Sequence, residues 1–597
     1  MKDSENRWNL NDILKEEEFD SLYLDLERDI DALKAYFKEM HPDMSEEEFR
    51  EYALFNERMG AKYRRLYNFP QLMADADSTS EKANLMKEKA KNLVLESTEI
   101  ETKIELWLQG KEIDDKPTLD DANAKRLFSA VRSLEESFIG ARESAKYSLS
   151  EAEENIIAAK DLNGINVLID LRSEIDTEFK FKFKPRGLKN IFKKKTNHTI
   201  EELIKYFDSN NPKEREDSYR LLLTKYKENI NKFFTIYQSI VKDWVYFAKK
   251  RGYNSPISCR NHDNEVPDEA IATLLQTCSE NKGISQNYFR WKANELGMKK
   301  LSRFDIRAPL ENKEQNIPYE KGKKLVLESL SQFSEGFAEK AKMIIDANHI
   351  DSRSRENKIS GGYCCTITPD IIPYILMNYT GGLESISTLA HELGHGIHSL
   401  YAKHHYPSTQ EASLPLAETA STFSEMILFE KLFSQADNDK MRRSMLSNRL
   451  IDSYWSVIRQ SYFIDFEIKA HEAIPKGVTA EELSGIYFDT LTEQFGDAVD
   501  VDPVFRYEWA YVSHMAEVPF YCYAYNFGEL LSMSLYSRYK KEGDKFIPEI
   551  EKILSYGGSK DPQKVLQGVG IDMCSKEFWQ GSFELIKNWQ KQLESYK

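Results

Sequence analysis

Apolar residues recur at every third or fourth position along most of the first 165 residues, and this spacing constrains the fold more than any other feature of the chain. In the first such stretch the apolar positions are Phe19, Leu22, Leu24, Leu26, Ile30, Leu33 and Phe37. Acids and lysines lie between them, which is typical of an amphipathic α-helix. Ser45, three residues before Glu48, has the form of a capping box that begins another helix. We therefore predict an N-terminal lobe of long helices.

Two short stretches predict β-strands within this helical chain. Charged residues and Phe alternate over 178–184, and 371–379 is rich in Ile, Tyr and Leu, both of which are typical of strands. Pro185-Arg186-Gly187 and the lysines that follow interrupt the pattern, so we predict a boundary at about 185–200. The expected fold class is mainly α, with small β elements, an N-terminal helical lobe at 1–190 and a second domain at 200–597.

Charge and composition exclude several classes of protein. A net charge of -16 repels phosphate backbones, so nucleic acid is not an expected partner. The basic stretch from Lys180 to Lys195 is interpreted as a solvated strand edge and linker. Six cysteines in 597 residues, without a C-x-x-C pair, do not form a disulfide framework. No apolar run approaches 18 residues, and Met1 to Arg7 lacks the apolar core of a signal peptide, so we expect a soluble, cytoplasmic protein with no membrane partner.

Residues 384–401 have the pattern of one helix that carries a metal-binding face. Its buried stripe is predicted to be Ile386, Leu389, Leu393, Ile397 and Leu400. His391 and His395 lie off that stripe and four residues apart, so both imidazoles can reach one zinc ion at about 2.0–2.1 Å. Glu392 completes an H-E-x-x-H motif, in which the glutamate faces the zinc-bound water as general base.

A catalytic zinc needs a third protein ligand, and three glutamates compete for that role. The extended motif H-E-x-x-H-x-x-G-x-x-H fails, because its Gly and last His positions hold His398 and Tyr401. Glu418 lies near the start of a second helical pattern, beside small residues that would let this helix approach the first. Glu411 falls in a predicted loop, and Glu425 lies two turns beyond Glu418. Spacing alone favours Glu418 and leaves Glu411 and Glu425 as rivals.

Other residues near the motif have two interpretations each. Glu425 would either accept the N–H of a ligating histidine or be a surface carboxylate. His398 fits a hydrogen-bonded structural histidine better than a fourth ligand, which would close the site to water. Cys364 and Cys365 would be thiols that sensitise the site to modification or, more simply, buried and inert ones.

Eight short segments along the chain together carry a resemblance to a known family. They are Trp8–Leu10, Gly361–Cys364, Pro373–Tyr379, His391–His398, Ala417–Thr422, Pro519–Tyr525, Tyr556–Ser559 and Gly570–Asp572. Together they resemble the oligoendopeptidase F group of the M3, thimet oligopeptidase-like, zinc metallopeptidases. The likeness extends over nearly the whole chain.

The resemblance implies a mostly helical, two-lobed body that encloses a deep substrate channel, with one zinc ion per chain at its floor. Such a channel would limit the substrates to short, unfolded oligopeptides. The resemblance also implies that His391, His395 and Glu418 are the zinc ligands and that Glu392 is the general base.

The segment 514–525 resembles the family's cluster of His and Tyr residues for transition-state and substrate contacts. We expect His514, Tyr521 and Tyr525 to be catalytic, because an oxyanion needs hydrogen-bond donors besides the metal, and Tyr523 to bind substrate behind them. From the residues alone, the tyrosines would be interpreted as a core or strand stripe. Glu517-Val518-Pro519 replaces the Gly-rich spacing of the mammalian-type branch.

An edge strand near 374–379 would pair with the backbone of an extended peptide, which makes Asn378 and Tyr379 expected substrate-binding residues. The predicted function is zinc-dependent hydrolysis of internal peptide bonds. A zinc exopeptidase, either a carboxypeptidase or a dipeptidyl carboxypeptidase, is the nearest alternative, and a non-catalytic helical scaffold that binds peptides is a more distant one.

Overall fold

The computed structural model describes residues 7–113, 116–186, 196–310 and 316–596. The helices of the first 300 residues are α1 Phe19–Glu39, α2 Glu46–Ala76, α3 Glu81–Leu108, α4 Asp121–Ser129, α5 Glu135–Ser144, α6 Glu151–Asn163, α7 Ile165–Glu178, α8 Ile200–Ile204, α9 Pro212–Glu228, α10 Ile230–Arg251, α11 Pro256–Asp263, α12 Asp268–Asn281 and α13 Gly283–Glu295. Ser45 and Glu48 form the predicted capping box at the start of α2. The N-terminal helical pattern is therefore confirmed.

The helices of the second half complete a mainly α fold, as predicted. They are α14 Tyr319–Phe333, α15 Glu335–Asp346, α16 Leu383–Tyr401, α17 Pro407–Gln410, α18 Leu414–Ala417, α19 Thr419–Ser434, α20 Asp439–Ser453, α21 Arg459–Ala473, α22 Ala480–Phe495, α23 Glu508–Tyr511, α24 His514–Glu517, α25 Tyr523–Glu542, α26 Ile547–Ser555, α27 Pro562–Gln567 and α28 Lys576–Ser595. Among the described residues, no helix is both long and apolar enough to cross a membrane.

Three small sheets accompany these helices in the described part of the chain. Their strands are β1 Phe181–Phe183, β2 Thr196–His198, β3 Leu301–Ser302, β4 Ile350–Arg353, β5 Tyr363–Cys365, β6 Tyr374–Tyr379 and β7 Val499–Asp500. β1 pairs with β2, and β3 with β7. In the third sheet β6 is the middle strand, parallel to β4 and antiparallel to β5.

Both predicted strands are present but shorter than their patterns. Of the strand predicted over 178–184, only β1 at Phe181–Phe183 is formed, because α7 continues to Glu178. The second strand begins at Tyr374, directly after Pro373, whose missing N–H cannot join a ladder. The prediction of an edge strand there is wrong, because β6 is paired on both sides and the edge strands are β4 and β5.

The described chain forms two compact units, each built from three segments. Unit 1 comprises Met1–Glu151, Glu314–Gln435 and Leu531–Asp572, and unit 2 comprises Ala152–Lys313, Ala436–Leu530 and Met573–Lys597. The predicted boundary at about 185–200 falls largely on 187–195, including the lysines 193–195, which lie outside the described residues. The division into domains at 1–190 and 200–597 therefore stays a prediction.

The core of unit 1 joins the N-terminal helices to the sheet beside α16. Buried residues of α1 to α4, among them Leu33, Phe49, Leu93 and Leu127, belong to the same apolar cluster as Ile367, Ile371 and Tyr374. The last three residues lead into β6 or begin it. Within unit 1, α16 also packs against α15, α19, β5 and β6. The helix with the H-E-x-x-H motif is thus held from several sides.

Candidate metal centre

The two faces of α16 have opposite roles. The predicted stripe is buried, with Ile386, Leu389, Leu393 and Ile397 at 0% exposure and Leu400 at 4%. His391 and His395 lie on the other face and are partly exposed. Their rings are one turn apart, with centroids separated by 4.8 Å. The prediction that helix periodicity separates the core face from the histidine face is confirmed.

A glycine between the histidines lets a second helix approach α16. A Cβ atom on Gly394 would lie 2.5 Å from Ser421 Cα and 2.6 Å from the Ala420 carbonyl oxygen, closer than atoms in contact can be. The backbones of α16 and α19 therefore meet at a point where no side chain fits. Glu418, the residue between α18 and α19, is carried to the histidines by this contact.

Three donor atoms converge on one point. His391 Nε2 lies 3.2 Å from His395 Nε2, and Glu418 Oε2 lies 3.3 Å and 3.4 Å from these two nitrogens. Ligand atoms placed about 2.0–2.1 Å from one tetrahedral zinc ion lie about 3.3–3.4 Å from each other. The donor set thus fits a tetrahedral metal ion. It is the one group of three or more potential metal ligands found among the described residues.

Hydrogen bonds orient two of the three ligands. Glu425 Oε1 lies 2.6 Å from His391 Nδ1, and Ser387 Oγ donates to the other Glu425 oxygen at 2.9 Å. His391 can therefore carry its proton on Nδ1 and direct the Nε2 lone pair to the common point. Ser421 Oγ donates to Glu418 Oε2 at 2.8 Å.

Electrostatics distinguish the two glutamates of the centre. Burial raises the pKa of Glu392 to about 7. Burial would also raise the pKa of Glu418, but a protonated His391 that donates to it and positive charge on His395 lower it to about 2. A cation between neutral imidazoles would act in the same direction, so Glu418 is suited to bind a cation, whereas Glu392 Oε2 is buried and has no hydrogen-bond partner among the described residues.

The rival glutamates have other partners. Glu411 pairs with Arg64 at 2.8 Å, and Glu425 contacts the outer nitrogen of His391 instead of the convergence point. His398 is buried, and its Nε2 has no hydrogen-bond partner among the described residues, so its interpretation as a structural histidine stays a prediction. A cavity of about 380 Å³ adjoins the donor atoms, and Gly362, Cys364, Glu392, His398, Gln410 and Glu411 are among the residues that line it.

The His and Tyr cluster of 514–525 lies in unit 2. His514 Nε2 lies 3.5 Å from the Tyr525 hydroxyl, and the Tyr521 ring is parallel to the His514 ring at 5.9 Å. Tyr525 is 38% exposed. Tyr523 is fully buried and accepts a hydrogen bond from Asn264 at 2.7 Å, so a contact with substrate would require it to move.

The two expected substrate-binding residues of β6 hold backbone of unit 1. Asn378 Nδ2 donates to the carbonyls of Ile359 and Gly361 at 2.9 and 3.1 Å, and the Tyr379 hydroxyl donates to the Ile317 carbonyl at 3.0 Å. Their role in substrate binding stays a prediction. No spacing pattern predicts the hydrogen bonds of Ser387, Ser421 or Gln410, because these bonds join separate elements.

Solved structures with a similar fold cover nearly the whole chain. A Chlamydophila abortus chain of solved structure superposes with a TM-score of 0.86, covering 99% of this chain and 98% of that one at 22% identity. Oligoendopeptidase-F from Enterococcus faecium superposes with a TM-score of 0.72, covering 97% and 99% at 20% identity.

Sequence comparison agrees with the structural likeness. The chain is 28% identical over 378 residues to oligopeptidase PepF of Bacillus subtilis and 29% identical over 390 residues to an oligoendopeptidase F homolog of Lactococcus lactis. These alignments cover 63% and 65% of this chain, and 56% and 65% of the two relatives. The model of peptidase family M3 matches residues 206–585. Since this match spans more than half of the chain and includes the whole metal centre, the chain belongs to peptidase family M3.

Proposed function

We propose that this protein is a zinc-dependent endopeptidase that hydrolyses internal bonds of short, unfolded oligopeptides. The observation that carries the proposal is the convergence of His391 Nε2, His395 Nε2 and Glu418 Oε2 at 3.2–3.4 Å from one another, beside Glu392. Two histidines, one glutamate and an open fourth position are typical of catalytic rather than structural zinc. One zinc ion per chain is expected, since the described residues contain one such donor set.

A zinc ion in this site supplies Lewis acidity and lowers the pKa of a bound water. Glu392 would act as the general base: its Oε2 has no partner among the described residues, and the residue lines the cavity. It would take a proton from the attacking water and return it to the leaving amine. A Cβ on Gly362 would lie 3.2 Å from Glu392 Oε1, so a glycine here leaves the carboxylate room to act.

The edge strand β5 would pair with the peptide backbone. From sequence, this pairing is predicted for the strand at 374–379, which is β6. Since β6 has neighbours on both sides, we propose β5 for this role instead. Tyr363 and Cys364 of β5 line the cavity next to Glu392, and an edge strand offers unpaired N–H and C=O groups to an extended chain. Backbone pairing would select for unfolded peptides.

His514, Tyr521 and Tyr525 are the proposed donors to the oxyanion of the transition state. Their support is chemical: a histidine and two phenols, all with some exposure, lie together in one segment. Donors directed at developing charge contribute about 10²–10³-fold to turnover. Tyr523, Asn378 and Tyr379 are proposed as residues that support substrate binding.

Replacing Glu392 by Gln tests the proposal. With a doubly blocked, internally quenched peptide, the zinc-loaded Glu392→Gln protein should retain one zinc per chain and lose about 10²–10⁴-fold in kcat, because the base is removed. Glu384→Gln, an exposed position on the same helix, is the matched control and should cleave like the wild type.

Three outcomes would contradict parts of the proposal. An active Glu392→Gln protein would exclude Glu392 as the base. Cleavage of free-ended peptides only would establish an exopeptidase. Full zinc loading without hydrolysis of either kind of peptide would favour the non-catalytic scaffold.

A further inference from the structure

The cavity beside the metal centre contains a buried hydrogen-bond acceptor that has no partner. Gln410 is 1% exposed and lines the cavity. Its Nε2 donates to the carbonyl and the hydroxyl of Ser399 at 3.3 and 3.2 Å, which fixes the orientation of the amide. Its Oε1 is buried and has no partner among the described residues. This oxygen is therefore held in place with its lone pairs unused.

A second acceptor lines the same cavity. His398 is 6% exposed. Its Nε2 is buried and, within the described chain, has no partner. In a neutral imidazole one ring nitrogen carries the proton and the other a lone pair, so with the proton on Nδ1 the Nε2 atom is an acceptor. Buried acceptors without donors are costly, so a donor from water or from a ligand is expected at both atoms.

The wall that carries Gln410 is closely packed. The N–H of Gly558 donates to the Thr409 carbonyl at 3.0 Å. A Cβ on Gly557 would lie 2.4 Å from the Gln410 carbonyl oxygen, and one on Gly558 would lie 2.2 Å from that of Glu411. The turn at 557–558 thus closes directly on the backbone of 409–411, where only glycine fits. A preorganised wall of this kind is typical of a binding subsite.

The charge of the cavity favours one class of ligand. Among the described residues that line it, none is a lysine or an arginine. The lining carboxylates of Glu392, Glu411 and Glu418 add to the two unused acceptors, and Arg64 neutralises Glu411 alone. A volume of about 380 Å³ admits a long side chain.

We propose that Gln410 and His398 form a subsite for a substrate side chain that ends in N–H donors, such as Lys, Arg or Gln, next to the bond that is cleaved. The proposal rests on the proposed peptidase function and adds the class of side chain that is selected. Gln410 acts as a specificity-determining residue, since its oxygen accepts a hydrogen bond from the substrate.

The experiment compares doubly blocked peptides that differ at one residue. Lys is paired with norleucine, and Gln with Met, at each position flanking the cleaved bond. At one of these positions the wild type should cleave the Lys peptide with a kcat/KM about tenfold or more above that for the norleucine peptide. A tenfold ratio corresponds to about 1.4 kcal/mol, the free energy of one good hydrogen bond. Gln410→Met should reduce this ratio at least fivefold. Gln410→Glu loses the donation to the Ser399 carbonyl but keeps an acceptor oxygen, which the Ser399 hydroxyl can orient, and adds a negative charge. This variant should still cleave the Lys peptide faster than the norleucine peptide.

Two controls make the result decisive. Gln592→Met is the same change at an exposed position of α28 and should leave the ratio as in the wild type. The affinities of zinc-loaded Glu392→Gln protein for the same peptides give the ratio of Lys to norleucine binding without turnover. This measurement leaves Gln410 unchanged, so it does not depend on how a Gln410 variant folds. Equal cleavage and equal binding of both members of each pair would overturn the subsite and leave the peptidase function standing. Selective binding without cleavage by the wild type would support the subsite and contradict the function.

Discussion

At the residue scale, Glu425 controls which nitrogen of His391 is free. Its Oε1 lies 2.6 Å from Nδ1, so the proton is held there and Nε2 remains a ligand. Glu425→Ala should weaken zinc affinity about 10–100-fold, measured by competition with a chelator of known affinity. Glu430→Ala, an exposed position on the same helix whose partner is Lys540, is the control. Unchanged affinity in Glu425→Ala would mean that His391 is oriented by packing alone.

Glu467 predicts a dependence of stability on pH. It is fully buried and accepts the N–H of Phe520, a residue with a left-handed φ of 60°, at 2.8 Å. Burial raises the pKa of Glu467 to about 8, from an ordinary value of 4.5. Between these values the folded state keeps a proton that the unfolded state has lost. Stability therefore falls by about 1.4 kcal/mol per pH unit as pH rises from about 5 to 8.

Glu467→Gln removes this titration and retains an acceptor for Phe520. From pH 5.5 to 7.5 the variant should therefore gain about 3 kcal/mol of unfolding free energy relative to the wild type. Urea unfolding of both proteins at each pH measures this difference. Glu472→Gln, exposed on the same helix, should track the wild type. A constant difference across this range would show that Glu467 is ionised when folded.

The residues of the metal centre differ in how far sequence alone predicts them. His391 and His395 follow from helix geometry, because positions four apart share a face. Glu418 does not, since three glutamates lie within reach and the choice depends on how α19 packs against α16. The structure separates them by partner: Arg64 for Glu411, and His391 Nδ1 for Glu425.

At the element scale, the approach of α16 and α19 depends on Gly394. In Gly394→Ala the new Cβ would meet the backbone of Ser421 and Ala420 at 2.5–2.6 Å, and backbone cannot move aside as a flexible side chain can. The helices must separate, which displaces Glu418. We expect zinc affinity to fall at least tenfold and the melting temperature to decrease, measured by chelator competition and calorimetry.

Gly60→Ala is the matched control for Gly394→Ala. Gly60 lies within α2, and a Cβ there would meet nothing within 4 Å. Alanine should raise helix stability by up to about 1 kcal/mol without a change in zinc affinity. If Gly394→Ala behaved like Gly60→Ala, the close approach of the two helices would not be needed for the site.

Helices were predictable from the sequence and strand pairing was not. The pattern at 384–401 gives α16 to within one residue. In contrast, β4 and β5 have four and three residues, too few for a period of two to appear. Which strand lies at the edge depends on contacts between distant segments, and this led to the wrong assignment of the edge to 374–379.

At the scale of the whole molecule, the metal centre belongs to one of the two compact units. Its ligands and their supporting residues Ser387, Ser421 and Glu425 all lie in unit 1. The N-terminal helices share their apolar core with the start of β6, which also lies in unit 1. Residues far apart in the sequence therefore form one packed body around the site, which periodicity along the chain cannot reveal.

Zinc should therefore stabilise unit 1 selectively. A ligand that binds the folded state alone adds RT ln(1 + [L]/Kd), or about 4 kcal/mol at a thousandfold excess over Kd. The ion would connect α16 to the residue that precedes α19, so amide exchange in these helices should slow when zinc chloride is added to protein stripped with EDTA. Exchange in α21 and α22 of unit 2 should change little. Hydrogen exchange with mass spectrometry measures all four helices at once, and His395→Ala should abolish the difference. Equal protection of both units would show that they unfold together, whereas no protection of α16 would contradict the metal centre itself.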